Sequence, residues 1–383
     1  MLTTLLDRIG LHADRTLVSD HAGEYTGRQL LDTAAAIAAS VPAPGDGGPE
    51  RVALLATPGL GYVAGMLGIW MRGAMAVPLC PEHPPAEIAY VLEDADVTAV
   101  LVDDALRPLL PPTAVATVSL PAGPGAPGLS PWPSPPADAL ALMLYTSGTT
   151  GRPKGVVHTH ATVTAQITCL IEAWAWGPDD RTLHFLPLHH THGIVNQLLC
   201  PLWAGARCDM IPRFDAVTAF ELLASTPYTV FMAVPTVYAK AIAAWEGAAV
   251  ETRTAWSDGC RRLRLMISGS AALAVPILHR WHTISGHVLL ERYGMTEIGM
   301  ALTNPLRGGR RPGFVGTPVP GMEVRLVDED GVVVGGEEAM GELQVRGDNG
   351  FVEYWRRPAE TAASFTADGW FRTGDVVALD GGA

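Results

Sequence analysis

Short runs of hydrophobic residues alternate with longer segments between positions 51 and 104. The mainly apolar runs at 51–56, 74–78 and 99–103 predict buried β-strands. The longer segments at 61–72 and 85–95 predict α-helices between them. Strands that alternate with helices in this way predict a mainly parallel sheet that is covered on both faces.

The same alternation returns after position 138. It predicts further strands at 139–145, 182–185, 206–211, 229–233, 264–268 and 287–292. The stretch 119–137 is rich in proline, glycine and alanine, which predicts an exposed linker. After position 312 the pattern changes to short alternating segments at 315–318, 323–328, 331–334 and 341–346, joined by glycine-rich turns. We therefore expect paired α/β subdomains over 1–311 and an antiparallel β subdomain over 312–383.

The composition indicates a large packed protein and narrows its partners. Among the 383 residues, 48% are hydrophobic and 17% are charged, which is enough apolar material for two or three packed subdomains. The formal net charge of −13 disfavours nucleic acid and anionic membranes as partners. An anionic substrate would need a local cluster of positive groups.

Neither the cysteines nor the N-terminal segment point to an oxidising compartment or a membrane. The cysteines are scattered without a CxxC pair, which predicts reduced core thiols in a cytoplasmic protein; they are Cys80, Cys169, Cys200, Cys208 and Cys260. Segment 1–15 mixes acidic and basic residues and does not resemble a signal or transit peptide. The apolar stretch 52–79 is interrupted by proline, glycine and arginine, so no membrane span is predicted.

A glycine- and threonine-rich loop is the strongest chemical signal in the chain. Segment 145–155 reads Tyr-Thr-Ser-Gly-Thr-Thr-Gly-Arg-Pro-Lys-Gly and follows a predicted strand. Its glycines allow close backbone approach to a ligand, its hydroxyls and N–H groups can surround phosphate oxygens, and Lys154 adds a positive charge. A flexible hairpin tip would also contain glycine and threonine. The spacing does not match the P-loop of nucleoside triphosphatases.

This loop resembles the phosphate loop of the acyl-adenylate-forming superfamily, which includes acyl-CoA synthetases. Other motifs of that superfamily are matched in order: Trp-Met-Arg-Gly-Ala at 70–74 with Val-Pro-Leu at 77–79, Leu-Pro-Leu-His-His-Thr-His-Gly at 186–193, Tyr-Gly-Met-Thr-Glu at 293–297, Gly-Glu-Leu at 341–343 and Trp-Phe-Arg-Thr-Gly-Asp at 370–375. The resemblance covers roughly 51–375.

The resemblance implies the fold of the large N-terminal domain of such enzymes. That fold has two α/β sheet subdomains in a layered sandwich and a smaller antiparallel β-barrel subdomain. In the family, a C-terminal lid domain supplies a lysine for the first reaction step. Only 376–383 follow Asp375 in this chain, so we expect the lid to be absent from it.

The resemblance also implies roles for individual residues. It implies that ATP is bound by Thr146, Ser147, Gly148, Thr149, Thr150, Gly151, Lys154, Gly269, Ser270, Ala271, Tyr293, Gly294, Met295, Thr296 and Asp375. Tyr293 would stack on adenine and Asp375 would accept hydrogen bonds from the ribose. Glu297 would hold Mg²⁺, a hard cation that prefers oxygen ligands. The implied catalytic residues are His190, Thr296 and Glu297.

Three histidines at 189, 190 and 192 raise the alternative of a zinc site. Zinc sites normally use further cysteine, histidine or acidic ligands at a characteristic spacing, and no such spacing is evident in the sequence. By resemblance, His190 lines the acyl pocket, and His192 is either near it or structural.

The acid substrate is expected to carry a second negative charge. Arg292 directly precedes the 293–297 motif, and an arginine can bind a carboxylate through two parallel hydrogen bonds. Lys240 and Ser270 are further candidates for binding that carboxylate. The alternatives are an ion pair between Arg292 and Glu291, and a solvated helix face for Lys240.

The segments around 189–193, 268–273 and 291–297 resemble malonyl-CoA synthetases. This implies that the substrates are malonate, ATP and CoA, with methylmalonate as a second acid, because one methyl group changes pocket energies by only about 1–3 kcal/mol. Two alternatives stay open: an adenylation enzyme that loads a carrier protein, and a lidless module that binds nucleotide without turnover. The sequence does not predict the oligomeric state.

Overall fold

Three β-sheets, with helices between and around them, form the part of the chain that the computed structural model describes: residues 4–42, 50–113, 115–126, 132–146, 151–336 and 338–380. The strands are β1 (Thr16–Asp20), β2 (Gly23–Thr26), β3 (Arg51–Leu55), β4 (Met75–Pro78), β5 (Ala99–Val102), β6 (Ala116–Ser119), β7 (Leu140–Thr146), β8 (Lys154–Thr159), β9 (Arg181–His184), β10 (Arg207–Met210), β11 (Val230–Ala233), β12 (Leu265–Ser268), β13 (Leu290–Met295), β14 (Gly299–Thr303), β15 (Thr317–Pro318), β16 (Glu323–Val327), β17 (Val333–Val334), β18 (Met340–Arg346), β19 (Glu353–Tyr354) and β20 (Phe371–Ala378).

The helices cover both faces of the two larger sheets. They are α1 (Leu5–Leu11), α2 (Gly27–Ser40), α3 (Leu60–Met71), α4 (Pro85–Asp94), α5 (His160–Trp174), α6 (Cys200–Ala204), α7 (Ala216–Ser225), α8 (Pro235–Gly247), α9 (Val250–Arg261), α10 (Val275–Ser285) and α11 (Pro358–Ala363). A 3-10 turn at Arg107–Leu109 and a π-helix at His192–Leu199 are also present.

The two larger sheets are mixed and mainly parallel, which confirms the predicted α/β alternation. In the described part of the chain, the first sheet has nine strands in the order β15-β14-β13-β12-β11-β9-β10-β1-β2. Its strands from β13 to β1 are parallel, and β2, β14 and β15 are antiparallel strands at the edges. The second sheet has seven strands in the order β19-β8-β7-β4-β3-β5-β6, with β8 and β19 antiparallel.

A shared hydrophobic core joins the sheets. It contains residues from every sheet, including Leu17, Leu54, Leu290 and Leu343. Helix α3 is buried almost all the way round, as expected for a helix that is apolar on every side. Gly68 allows α3 to approach α2 closely, because a Cβ at this position would lie 2.8 Å from a backbone carbonyl oxygen of α2. This core fixes the positions, relative to one another, of the sheet ends that form the site.

The small antiparallel subdomain is confirmed, with two differences from the prediction. Its described strands form a four-stranded sheet in the order β17-β16-β18-β20, which is an open row and not a closed barrel in the part described. The predicted strand 315–318 is shortened to β15 and pairs with β14 of the first sheet. This pairing gives β14 a hydrogen-bonding partner at the sheet edge and leaves the small sheet with strands from later in the chain.

The predicted linker at 119–137 is anchored to the body of the protein over its described residues. Leu120 is buried in the core, and the Trp132 ring packs against it. The Trp132 indole N–H donates a hydrogen bond to Asp32 at 3.3 Å. The prediction of an exposed linker is therefore wrong at these residues. Burial of their apolar side chains is favourable and holds the segment against the body of the protein.

All five cysteines are buried. In the described ranges, none of the helices has the length and apolar character needed to cross a lipid bilayer.

Candidate active site

A cleft of about 930 Å³ opens where the three sheets meet. Ten of the residues singled out from the sequence line it: Thr146, Lys154, His190, Lys240, Ser270, Arg292, Gly294, Met295, Thr296 and Glu297. An adjoining cavity of about 520 Å³ shares Ser270, Arg292 and Gly294 with it and adds Ala271, Tyr293 and Asp375. Ser147, Gly148, Thr149 and Thr150 lie outside the described residues. Gly151 and Gly269 line neither space.

The sheet topology explains why these residues converge. In a parallel sheet all strands end at the same edge, and ligands of open α/β sheets bind at that edge. The segments that follow β9, β11 and β12 lead to His190, Lys240 and Ser270, respectively. The β7–β8 hairpin of the second sheet brings Thr146 and Lys154 to the same cleft.

Arg292 is a buried cation without an acidic partner. Its side chain is 4% exposed, and Nη2 donates a 3.2 Å hydrogen bond to the Ser270 hydroxyl. Its Nε has no hydrogen-bond partner, and no carboxylate lies within ion-pair distance of the guanidinium among the described residues. Glu291 instead accepts a hydrogen bond from the Gly313 backbone N–H at 2.8 Å. The structure therefore does not support the alternative of an Arg292–Glu291 ion pair.

Burial also lowers the pKa of Arg292. Desolvation lowers the guanidinium pKa to about 9, which still leaves the group charged at neutral pH. An uncompensated charge in a buried position is costly. An anion that enters the cleft beside Arg292 would therefore be bound strongly.

Ser270 connects Arg292 to a buried histidine. The Ser270 Oγ lies 3.2 Å from Nδ1 of His192. Because the guanidinium can only donate, the Ser270 hydroxyl accepts from Arg292, and the direction of its contact with Nδ1 is set by the His192 tautomer. Nε2 of His192 is buried and has no partner among the described residues. Burial, followed by the charge of Arg292, holds the His192 pKa well below its ordinary value, so the ring is neutral.

The backbone around Ser270 is shaped for this contact. Ser270 has a φ of 65°, a left-handed conformation that non-glycine residues rarely adopt. At Gly269, a Cβ would lie 2.4 Å from Arg292 Nε, so only glycine leaves room for the guanidinium. Strained residues of this kind are concentrated in functional sites.

Glu297 and Lys154 form a second group of contacts in the cleft, which we call its phosphate end, as distinct from the acid end around Arg292. Glu297 is 5% exposed and accepts a 2.9 Å hydrogen bond from the Tyr354 hydroxyl. Lys154 Nζ lies 3.4 Å from a Glu360 carboxylate oxygen and 3.9 Å from the centre of the Tyr354 ring. Glu297 has no basic partner within ion-pair distance in the described part of the chain. Its buried carboxylate, which only a neutral hydroxyl contacts, fits the oxygen ligand that Mg²⁺ requires.

Tyr293 and Asp375, both assigned to the nucleotide, contact each other. The Tyr293 hydroxyl donates a 2.6 Å hydrogen bond to Asp375 Oδ2. Burial, and then this carboxylate, raise the Tyr293 pKa above its ordinary value. The pair borders the adjoining cavity, so the predicted nucleoside contacts lie next to the main cleft.

The remaining predicted residues lie at the edge of the cleft. His190 is exposed, and its ring centre lies 4.1 Å from that of His189. Lys240 is exposed on α8. Within the described ranges, no group of three or more histidine, cysteine or acidic side chains could hold a metal ion, which gives the zinc alternative no support.

Several cleft residues were missed in the sequence. His192 was left as nearby or structural, although it is bonded directly to Ser270. The wall also includes Phe185, Phe214 and Tyr354, which no motif singled out. These aromatic residues come from separate elements and look like ordinary core residues in the sequence. One available signal was the His-Thr-His spacing, which places His192 at the start of the π-helix, a conformation often found at functional sites.

Comparison with known proteins places the chain in a family. The family model described as AMP-binding enzyme matches residues 7–355. The chain is 42% identical to the mitochondrial malonate–CoA ligase ACSF3 of Xenopus laevis, over 97% of this chain and 72% of that protein. ATP-bound MatB from Rhodopseudomonas palustris is 31% identical with a TM-score of 0.88, over 99% of this chain and 77% of that one. A malonyl-CoA ligase with methylmalonyl-CoA and AMP bound is 34% identical with a TM-score of 0.87, over 99% and 79%. The chain therefore belongs to the AMP-binding enzyme family.

Proposed function

We propose that this chain is the nucleotide- and acid-binding part of an ATP-dependent malonate–CoA ligase. The observation that carries the proposal is the buried Arg292, which has no acidic partner among the described residues and lines the same cleft as Lys154 and Glu297. Glu297 likewise has no basic partner in the part of the chain that the structure describes. Such a cation and such a carboxylate suit a substrate with two anionic ends and a metal-bound nucleotide.

Arg292 and His192 suit the malonate carboxylate that does not react. Each has a buried nitrogen that finds no partner in the described ranges, and Ser270 lies between them. The guanidinium supplies charge, and the neutral imidazole would supply a further N–H donor in the tautomer that is protonated on Nε2. A simple fatty acid would leave these donors unsatisfied, which costs about 1–3 kcal/mol for each group.

The apolar wall of the cleft suits a short acid with a small substituent. Phe185, Phe214 and Val237 contribute to it. A methyl group against such a wall changes binding by only about 1–3 kcal/mol, so methylmalonate is proposed as a second substrate.

The nucleotide is proposed to lie along the other end of the cleft. Lys154, Thr146 and Thr296 would contact its phosphates, and Tyr293 and Asp375 its nucleoside. Glu297 would hold Mg²⁺, which would supply positive charge to offset that of the phosphates.

The proposed reaction has two steps. A malonate carboxylate oxygen attacks the α-phosphorus of ATP, which forms malonyl-adenylate and releases pyrophosphate. The CoA thiolate, after loss of its proton, then attacks the acyl carbon, and AMP leaves. No bond to the protein is formed, so the chain contributes by holding the reactants together and stabilising their charge.

Calorimetry with this chain tests the proposal directly. We expect malonate to bind in the presence of MgATP and methylmalonate to bind within about tenfold of it. Acetate and butyrate, which lack the second carboxylate, should bind at least about tenfold more weakly than malonate. Equal affinity for malonate and butyrate would overturn the dicarboxylate assignment.

Isotope exchange between pyrophosphate and ATP, followed by acceptor assays, tests the chemical steps. Malonate-dependent exchange would support adenylate formation, whereas binding without exchange would support the alternative of a nucleotide-binding module. Product formation with CoA but not with a phosphopantetheinyl carrier protein would support the ligase over a carrier-loading enzyme.

A further inference from the structure

Tyr354 lies between the two charged groups at the phosphate end of the cleft. It is the last residue of β19, which pairs antiparallel with β8, and its register partner is Val156. Lys154 begins β8. The strand pairing therefore sets the Tyr354 ring beside Lys154, and the opposite side of the cleft brings Glu297 to the hydroxyl.

One side chain thus contacts both groups. The Tyr354 hydroxyl donates to Glu297 Oε1 at 2.9 Å, and the Lys154 ammonium lies 3.9 Å from the centre of the ring. Tyr354 is only 4% exposed. Burial, and then the Glu297 charge, raise the Tyr354 pKa above its ordinary value, so the hydroxyl keeps its proton and remains a donor.

The turn that carries Glu297 is held in place by the same region. Oε1 is occupied by the Tyr354 hydroxyl, so Oε2 remains for a cation. The Glu297 carbonyl accepts a 2.7 Å hydrogen bond from the Phe351 N–H. His158 Nε2, on β8, lies 2.9 Å from the Thr296 carbonyl oxygen and donates to it. The Glu297 side chain is therefore held from β19, and its backbone by Phe351 just before that strand and, through Thr296, by His158 of β8.

We propose that Tyr354 is a positioning residue for the magnesium–triphosphate group of ATP. Its hydroxyl fixes one oxygen of Glu297 so that the other faces the cation, and its ring keeps the Lys154 ammonium at the cleft wall. This inference rests on the proposed function, because it requires that the cleft binds MgATP.

The test is the Mg²⁺ dependence of ATP binding, measured by calorimetry at a series of free Mg²⁺ concentrations. Tyr354→Phe removes the hydroxyl but keeps the ring. Loss of a hydrogen bond to a metal ligand commonly weakens metal affinity by 10- to 100-fold, so we expect the Mg²⁺ midpoint for ATP binding to rise about tenfold. AMP, which lacks the β- and γ-phosphates, should bind the variant and the wild type equally.

A second substitution identifies the partner. In a Glu297→Gln background, Tyr354→Phe should cause no further change in the Mg²⁺ midpoint, because the two groups act as one unit. Tyr25→Phe is the matched control: it also removes a buried tyrosine hydroxyl that donates to a carboxylate, Asp20, but lies away from the cleft. It should leave the midpoint unchanged and shift thermal unfolding about as much as Tyr354→Phe does.

Each contrary result has a separate meaning. A Tyr354→Phe midpoint equal to that of the wild type would overturn the positioning role and leave the proposed function intact. Equal losses of ATP and AMP affinity at every Mg²⁺ concentration would make Tyr354 purely structural. Failure of the wild-type chain to bind ATP at any Mg²⁺ concentration would overturn both proposals.

Discussion

The two ends of the cleft satisfy their charges in different ways. At the acid end, Arg292 and His192 each keep a buried nitrogen that has no partner within the described segments, and Ser270 is their shared contact. At the phosphate end, Lys154 already has Glu360 and the Tyr354 ring as partners. The acid end is therefore organised before the ligand arrives, whereas Lys154 must exchange partners to reach a phosphate. Binding at the acid end should thus be the more sensitive to small geometric changes.

The largest expected effect tests a feature that both ends share, a buried neutral histidine. Burial lowers the pKa of His158 from 6.5 to about 4, and burial together with the Arg292 charge holds the pKa of His192 well below 6.5. Burial lowers the pKa values of His160 and His184 to about 4 as well. Between these folded-state values and 6.5, the unfolded chain binds more protons, so stability is lost as pH falls below 6.5. We expect a loss of about 2 kcal/mol for each such histidine by pH 5.

Urea unfolding at pH 7.5 and pH 5 measures this loss. His158→Gln removes one titrating group but keeps a donor for the Thr296 carbonyl, so its pH dependence should be smaller by about one proton. An unfolding free energy that stays constant over this pH range would contradict the buried neutral state.

Removal of the Arg292 charge should affect binding at the acid end and not at the phosphate end. Arg292→Met keeps much of the buried volume but removes the guanidinium. We expect malonate affinity to fall by about 100-fold or more, near 3 kcal/mol, while MgATP affinity changes little. Calorimetry with each ligand alone and together provides the measurement. Arg292→Lys keeps the charge but lacks the planar guanidinium. Its malonate affinity should lie between that of Arg292→Met and that of the wild type. Parallel losses of malonate and ATP affinity would instead make Arg292 part of the general architecture.

Crowding of the guanidinium should have a smaller effect at the same end. A Gly269→Ala methyl would lie 2.4 Å from Arg292 Nε and must displace it. We expect malonate affinity to fall about tenfold, near 1.4 kcal/mol, with less effect on ATP. Gly247→Ala is the control, because a Cβ there meets no atom within 4 Å. Similar malonate affinities for the two variants would show that the guanidinium position is not critical.

The smallest expected effect is a trade between stability and binding at Ser270. Ser270→Gly relieves the left-handed conformation, so the free energy of unfolding should rise by about 1 kcal/mol. The same change removes the hydroxyl between Arg292 and His192, so malonate affinity should fall. Ser270→Ala, which keeps the strain but loses the hydroxyl, is the comparison for thermal unfolding and malonate titration. A Gly variant no more stable than the Ala variant would argue against strain at this position.

The sequence predicted the sheet-forming regions and ten of the residues that line the cleft. The run at 51–56 became β3 and that at 99–103 became β5, because a mainly apolar run without helical length is a local property. Arg292 was identified because it adjoins a recognisable motif. The linker at 119–137 was misjudged because the burial of Leu120 and Trp132 depends on surfaces supplied by distant segments.

By itself, the sequence determined which segments become strands and helices and which motifs carry the chemistry, since both depend on residues that are close together along the chain. Only the tertiary structure decided that Arg292 has no acidic partner in the described part of the chain, that His192 contacts Ser270 across 78 positions, and that Tyr354 contacts Glu297 across 57. These contacts arise where separate sheets pack together. The distances between these side chains depend on how the whole core packs, so they cannot be predicted from residue spacing along the chain.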